Sequence, residues 1–172
     1  MIRSMLAVSL FIAVVTVLIA GCPPPPKPPF DVSGDYEGTW SGTSTDNAQQ
    51  VEDCVLSLSL TQNVNATFPT DHVVNGTVTV DYSCITLPDW VEDPVPSVLN
   101  VTGYLQDNGK LTLVTGGCTT ALCVVLTLDG TAQDNGSDGF ADTYSGTWNF
   151  TILLAGVEPF GFTGDFSVAV AP

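Results

Sequence analysis

The chain has 172 residues, with 18 Asp or Glu against three Lys or Arg, which gives a formal net charge of −15. Because phosphate binding depends on basic side chains, we expect no nucleic-acid partner. Hydrophobic residues make up 44% of the sequence, and the part after Phe30 is long enough for one domain with a buried core.

The first 21 residues are typical of an export signal. Arg3 gives a positive start, Met5–Leu18 is almost entirely apolar, and residues 18–22 read Leu-Ile-Ala-Gly-Cys. An apolar stretch this short, ending in small residues, indicates a cleaved signal, since a membrane-spanning helix needs roughly 20 apolar residues. An ordinary signal peptide, or a free cysteine beside a membrane anchor, is the alternative.

The ending at residues 18–22 resembles the bacterial lipobox, in which an aliphatic residue and two small residues precede a cysteine. This resemblance implies cleavage before Cys22 and attachment of lipid to its thiol and its new amino group. Such lipidation would anchor the protein to a membrane without spanning it. The resemblance therefore implies a lipoprotein of the bacterial cell envelope, expected in the outer membrane on its periplasmic face or at the cell surface.

Residues 22–30 are predicted to be a tether, because they are rich in proline. Proline fixes φ and lacks an amide donor, so this segment should be an extended polyproline spacer. At roughly 3.1 Å per residue, it would hold the domain about 20–25 Å from the bilayer. The predicted organisation is a signal peptide at 1–21, the lipidated cysteine and tether at 22–30, and a β domain at 31–172.

After Phe30, apolar and polar residues alternate with a period of two, between clusters of Gly, Asn, Asp and Pro. The pattern predicts eight strands. They are 34–43, 54–62, 73–84, 97–106, 110–117, 123–132, 143–154 and 159–170. Eight sequential strands with short links favour an all-β, eight-stranded antiparallel up-and-down β-barrel, because closure removes exposed strand edges. A two-sheet β-sandwich is the alternative.

The register of each hairpin can be predicted, because a slip of one residue would exchange its two faces. Pairing Leu58 with Val80 joins the apolar faces of the second and third strands. Between the fourth and fifth strands, a three-residue loop with Gly109 left-handed pairs Leu105 with Leu111, whereas a two-residue Asn-Gly turn would separate them. We therefore predict the three-residue loop.

Four cysteines besides Cys22 suggest two disulfides in an exported protein, with three connectivities open. The predicted registers place Cys54 opposite Cys84 and Cys118 opposite Cys123, so we predict these two disulfides. Free or differently paired cysteines are the alternative.

The sequence YEGTW at 36–40 recurs as YSGTW at 144–148, and in both copies Tyr, Gly and Trp would face inward, with the glycine leaving room for neighbouring rings. Gly38-Thr39-Trp40 resembles the G-x-W signature of lipocalins, and the strand layout is similar to the lipocalin and avidin group. Barrels of this size hold one small ligand or are filled by their own side chains. A small apolar ligand would contact inward rings, for which the candidates are Tyr36, Trp40, Tyr82, Trp148 and Phe166.

The predicted turn between the sixth and seventh strands resembles calcium loops of the form D-x-D-x-D-G-x-x-D, in which oxygens and a glycine turn wrap a hard cation. Asp134, Asp138, Gly139 and Asp142 fit that pattern, whereas Gly136 offers no side-chain oxygen at the third position. The interpretations are a calcium site and a plain acidic turn. No other cofactor is expected.

Signals of catalysis are poor. His72 is the only histidine, no nucleophile-elbow motif occurs, and the acidic pairs 52–53 and 92–93 consist of adjacent residues that should diverge into solvent. We predict no enzymatic activity. The two functions that remain are a filled barrel acting as a structural or interaction module, with an envelope protein as partner, and a binding module for a small hydrophobic molecule.

Strand order also sorts the predicted loops onto the two ends of the barrel. The chain start and the loops 63–73 and 133–142 would share the end near the tether. The opposite end would carry both disulfides and most acidic loops, and we expect it to face away from the membrane. Its loops are 44–53, 85–97, 118–123 and 155–159.

Overall fold

The computed structural model describes residues 28–63, 72–91, 95–118 and 122–172, so the predicted signal peptide and Cys22 lie outside the described residues. The described chain forms eight strands. They are β1 (Gly34–Ser44), β2 (Gln50–Gln62), β3 (Val73–Val80), β4 (Val98–Leu105), β5 (Lys110–Cys118), β6 (Leu122–Gln133), β7 (Thr143–Leu154) and β8 (Phe160–Val170). Within these residues, no helix is long and apolar enough to span a membrane.

Each strand pairs antiparallel with its neighbours in sequence, and β8 pairs with β1 to close the barrel. The closing seam runs from Tyr36 opposite Val170 to Ser44 opposite Phe162. The predicted eight-stranded barrel is confirmed, and the sandwich alternative is wrong.

Two strand ends differ from the prediction by four residues. β2 begins at Gln50, because its pairing with β1 continues past a bulge at Asp53, whose φ is +56°. β3 ends at Val80, because the Asp81 carboxylate accepts a hydrogen bond from the Ser83 amide at 2.8 Å and starts a turn. Neither the bulge nor the turn has the period-two pattern on which the prediction rested.

The predicted register between β2 and β3 is wrong by two residues. Leu58 pairs with Val78, and Val80 pairs with Leu56. Because the shift is even, the apolar faces still match. The Cys54–Cys84 disulfide nevertheless forms, with the two Cα atoms 6.1 Å apart. It forms because the chain turns after β3, so Cys84 reaches Cys54 from a turn instead of from the end of a strand.

The other predicted pairings are confirmed. Leu105 pairs with Leu111, and Gly109 has a φ of +81°, as the three-residue loop requires. Cys118 pairs with Cys123 at the end of the β5–β6 hairpin, and the two form the second disulfide. Both disulfides therefore lie at the same end of the barrel.

The repeated YxGTW sequence occupies equivalent places on β1 and β7, but its glycine has a different role from the predicted one. A Cβ on Gly38 would lie 2.0 Å from the Ser167 carbonyl oxygen, and a Cβ on Gly146 would lie 2.4 Å from the Gly130 Cα. The two glycines therefore allow the backbone of the next strand to approach closely, instead of making room for rings. The tyrosine and tryptophan of both copies are buried in the core.

Candidate functional site

The predicted ligand-contacting rings are mostly inside the barrel. Tyr36, Trp40, Trp148 and Phe166 are buried, whereas Tyr82 lies beyond the end of β3 and is partly buried against the core. The centroids of the Trp40 and Trp148 rings are 4.3 Å apart in an edge-to-face contact.

The ring contacts form two groups. In the first group, Trp40 and Trp148 also contact Phe162, and Tyr82 packs on Phe150 with centroids 5.3 Å apart. In the second group, Phe166 contacts Tyr144 at 4.7 Å. The sequence interpretation did not select Phe150, Phe162 and Tyr144, although all three share the inward phase of their strands.

The inner rings are covered by protein atoms. Trp40 is 2% exposed and Trp148 4%, and the Trp148 indole Nε1 donates a hydrogen bond to the Ser41 carbonyl oxygen at 2.9 Å. A depression of about 440 Å³ lies on the outside of the barrel, lined mostly by polar side chains of β6, β7 and β8 such as Thr127, Asp129 and Asn149. The inner rings therefore act as core packing.

The buried hydroxyl of Tyr36 on β1 links the chain before β1 to the turn before β7. The Tyr36 hydroxyl lies within hydrogen-bonding distance of the Val32 and Ala141 carbonyl oxygens, at 3.1 and 3.2 Å. Burial, helped by the nearby charges of Asp31 and Asp142, raises the pKa of Tyr36 to about 12.

Strongly alkaline solution is expected to destabilise the barrel. Because the folded state raises the pKa of Tyr36, the stabilisation is fully present below the ordinary tyrosine pKa of about 10 and is lost as the pH rises through about 12. Denaturant unfolding of the full chain between pH 8 and pH 12 measures this loss. The variant Tyr36→Phe should show a shallower decline, and a free energy of unfolding that is constant from pH 10 to pH 12 would contradict the expectation.

The disulfide end of the barrel is covered by the chain that follows β3. The Gln49 side-chain amide donates to the Thr86 carbonyl oxygen and accepts from the Thr86 amide, both at 2.8 Å. Ile85, Leu87 and Trp90 pack against the core and are partly buried. Together with the Cys54–Cys84 disulfide, these contacts fix the segment 81–91 over this end.

The opposite end carries the start of the domain. Asp31 forms an isolated parallel β-bridge with Phe140. The Asp31 amide donates to the Gly139 carbonyl oxygen, and the Asp31 carbonyl oxygen accepts from the Ala141 amide, both at 2.8 Å. The chain start and the 133–142 turn therefore lie together, as predicted. Most of the 63–73 loop lies outside the described residues.

The predicted calcium ligands stabilise their own turn. The Asp142 carboxylate accepts from the amides of Asn135 and Gly136 at 2.6 and 2.9 Å, and the Asp134 carboxylate accepts from the Gly139 amide at 2.9 Å. Asp138 accepts from the amide of the residue two positions later. In the described part of the chain, no three His, Cys, Asp or Glu side chains are arranged to hold a metal ion. The acidic-turn interpretation explains these contacts, and calcium binding stays a prediction.

The groups considered for catalysis lie at separate places. The His72 Nε2 is 3.6 Å from the Asp107 carboxylate, next to the hairpin that joins β4 and β5. Glu52 and Asp53 are exposed at the start of β2, at the disulfide end. The pair 92–93 lies outside the described residues.

Of the residues that carry the lipocalin resemblance, Trp40 is part of the core. Trp40 of the G-x-W sequence lies on β1 against β8, opposite Phe166. Comparison with protein-family models, with curated proteins and with solved structures finds no match for this chain. The resemblance to lipocalins therefore stays a prediction based on Gly38-Thr39-Trp40 and the strand layout.

Proposed function

We propose that this protein is a lipid-anchored lipoprotein of the bacterial cell envelope, whose filled barrel acts as a non-enzymatic structural or interaction module. The observation that carries this proposal is the packing of the interior. The largest fully buried side chains include Tyr36, Trp40, Phe150 and Phe162, which occupy the space that a ligand would need in a hollow barrel.

The proposed anchor is supported by the sequence before the barrel. Residues 18–22 have the lipobox pattern, and the prolines after Cys22 suit an extended tether. The domain starts at the end of the barrel that holds the 133–142 turn. An anchored barrel would thus present its disulfide-braced end away from the bilayer.

The charge distribution favours a protein partner with basic groups. Lys110 is the only Lys or Arg after the tether, and its ammonium lies 3.3 Å from the Asp129 carboxylate. Acidic side chains are frequent at the disulfide end. Those in the described residues are Asp46, Glu52, Asp53, Asp81, Asp89 and Glu158. Charges of one sign steer partners of the opposite sign toward such a surface.

Native mass spectrometry of the full chain, exported by a bacterial host and purified without lipid removal, tests this proposal. We expect a covalent mass increase from acyl groups and no apolar molecule released on denaturation. The variant Cys22→Ser should lose that mass increase and leave the membrane fraction.

Two outcomes would contradict the proposal. Retention of Cys22→Ser in the membrane fraction would show that Cys22 is not the anchor. Release of a stoichiometric apolar molecule from the native protein would favour the alternative function, a binding module for a small hydrophobic ligand. A filled barrel should also leave the emission of an added apolar fluorescent probe unchanged.

A further inference from the structure

The seam between β4 and β5 is paired over only part of its length. Thr102–Leu105 of β4 pair with Leu111–Val114 of β5. Beyond this stretch, residues 98–101 continue to pair with β3, and residues 115–118 continue to pair with β6. Among the described residues, the β5 edge at 115–118 therefore has no β4 residue in register beside it at the disulfide end.

The last three residues of this stretch are open to solvent, whereas Thr115 is buried. Gly116, Gly117 and Cys118 are exposed, and a Cβ on either glycine would have no contact within 4 Å. Successive residues of a strand point to opposite faces, so β5 is open on both faces here. Val114, the last paired residue before this stretch, is 42% exposed.

The exposed end of β5 is held in an extended conformation from its other side. Gly116 pairs with Val125, and the Cys118–Cys123 disulfide closes the hairpin at the next pairs. The disulfide limits fraying of two glycines that are flexible by themselves. A strand fixed in this way is preorganised, which lowers the entropy cost of adding a partner strand.

We infer that the β5 edge at 116–118 is a docking site for an extended segment of a cationic partner protein, which adds to the barrel wall as a strand. This inference rests on the proposed function as an interaction module and names its partner class. Unpaired strand edges are templates for strand addition, in which main-chain hydrogen bonds provide affinity.

The negative charge of the chain favours another protein, and not a second copy of this chain, as the partner at the β5 edge. Two copies would each bring a formal net charge of −15, whereas a segment with Lys or Arg would be attracted. The open faces of Gly116 and Gly117 leave space for large side chains. Aromatic or β-branched residues opposite a glycine fill such space in sheets. We therefore expect a segment that alternates basic residues with aromatic or β-branched ones.

A synthetic decapeptide of alternating Lys and Val with one central Tyr is the probe. Added to the detergent-solubilised full chain, it should bind and protect the amides of 116–118 from hydrogen exchange. Two control peptides, one with Glu in place of Lys and one with alternate amides N-methylated, should bind at least about tenfold more weakly. Absence of binding, or protection confined to another surface, would overturn the inference.

Two matched variants test whether the peptide binds at the β5 edge. V114K adds a cation beside the β5 edge, whereas V170K adds the same charge at an exposed valine on β8, at the opposite end. We expect V114K to weaken peptide binding about tenfold and V170K to leave it unchanged. Equal effects of the two variants would overturn the inference, as would a dimer of the full chain that V114K dissociates.

These results are separable from a failure of the proposed function. If the decapeptide does not bind and the barrel releases no apolar molecule, the inference of a docking edge is wrong, but the proposed function as a filled-barrel module stands. If an apolar molecule is released, the proposed function fails regardless of the peptide result.

Discussion

The variant Trp40→Ala is expected to lower the free energy of unfolding by about 3–5 kcal/mol. The Trp40 side chain is fully buried and packs edge-to-face on Trp148 and on Phe162. Its strand forms the seam that closes the barrel, and Trp40 pairs there with Phe166. Removing the indole would leave a cavity that rigid strands on all sides cannot fill by collapsing. Urea unfolding followed by circular dichroism measures the loss.

Trp90→Ala is the matched control, because Trp90 is only partly buried against the core in the segment that covers the disulfide end. Its expected cost is about 1 kcal/mol. Trp40→Ala should also create a dry apolar cavity, which can take up a small molecule such as benzene. Equal destabilisation by the two variants, or uptake of benzene by the unmodified protein, would contradict a filled interior.

The variant Gly38→Ala is expected to cost about 3 kcal/mol or more, although it adds a single methyl group. The new Cβ would lie 2.0 Å from the Ser167 carbonyl oxygen and 2.7 Å from the Val168 Cα. Both atoms belong to the backbone of β8, so relief requires β1 and β8 to move apart. Thermal unfolding of the purified full chain should show a large decrease in Tm.

Gly116→Ala is the control for this prediction, because its Cβ would meet no atom within 4 Å. Alanine also loses less conformational entropy on folding than glycine, so this variant should be neutral or slightly more stable. If Gly38→Ala and Gly116→Ala have the same Tm, the close approach of β1 and β8 does not limit stability.

Where a local signal fixed the geometry, the sequence predicted the fold well. The alternating apolar pattern identified all eight strands, and the left-handed Gly109 determined the register between β4 and β5. The prediction failed between β2 and β3, where it extended β3 to Cys84. The turn that begins at Asp81 depends on one side-chain hydrogen bond, which hydrophobic periodicity does not encode.

The candidate site was less predictable than the fold. The period-two pattern identifies which rings point inward, and it placed Trp40, Trp148 and Phe166 correctly. Which rings touch depends on the tilt and curvature of the closed sheet, so the contacts of Phe150 and Tyr144 were not predicted. The incomplete β4–β5 seam depends on the spacing of two backbones and has no signature in the residue pattern.

The pairing of β8 with β1 has a consequence for how the protein folds. Tyr36 and Val170 are partners in this seam although they lie near opposite ends of the domain sequence. Contacts between residues so distant in the chain carry a large loop-closure entropy and slow folding. The seven earlier strands can pair with their neighbours in order, but β1 keeps an unpaired edge until β8 is available. Closure of the barrel is therefore a late event, which must wait for synthesis of the last strand.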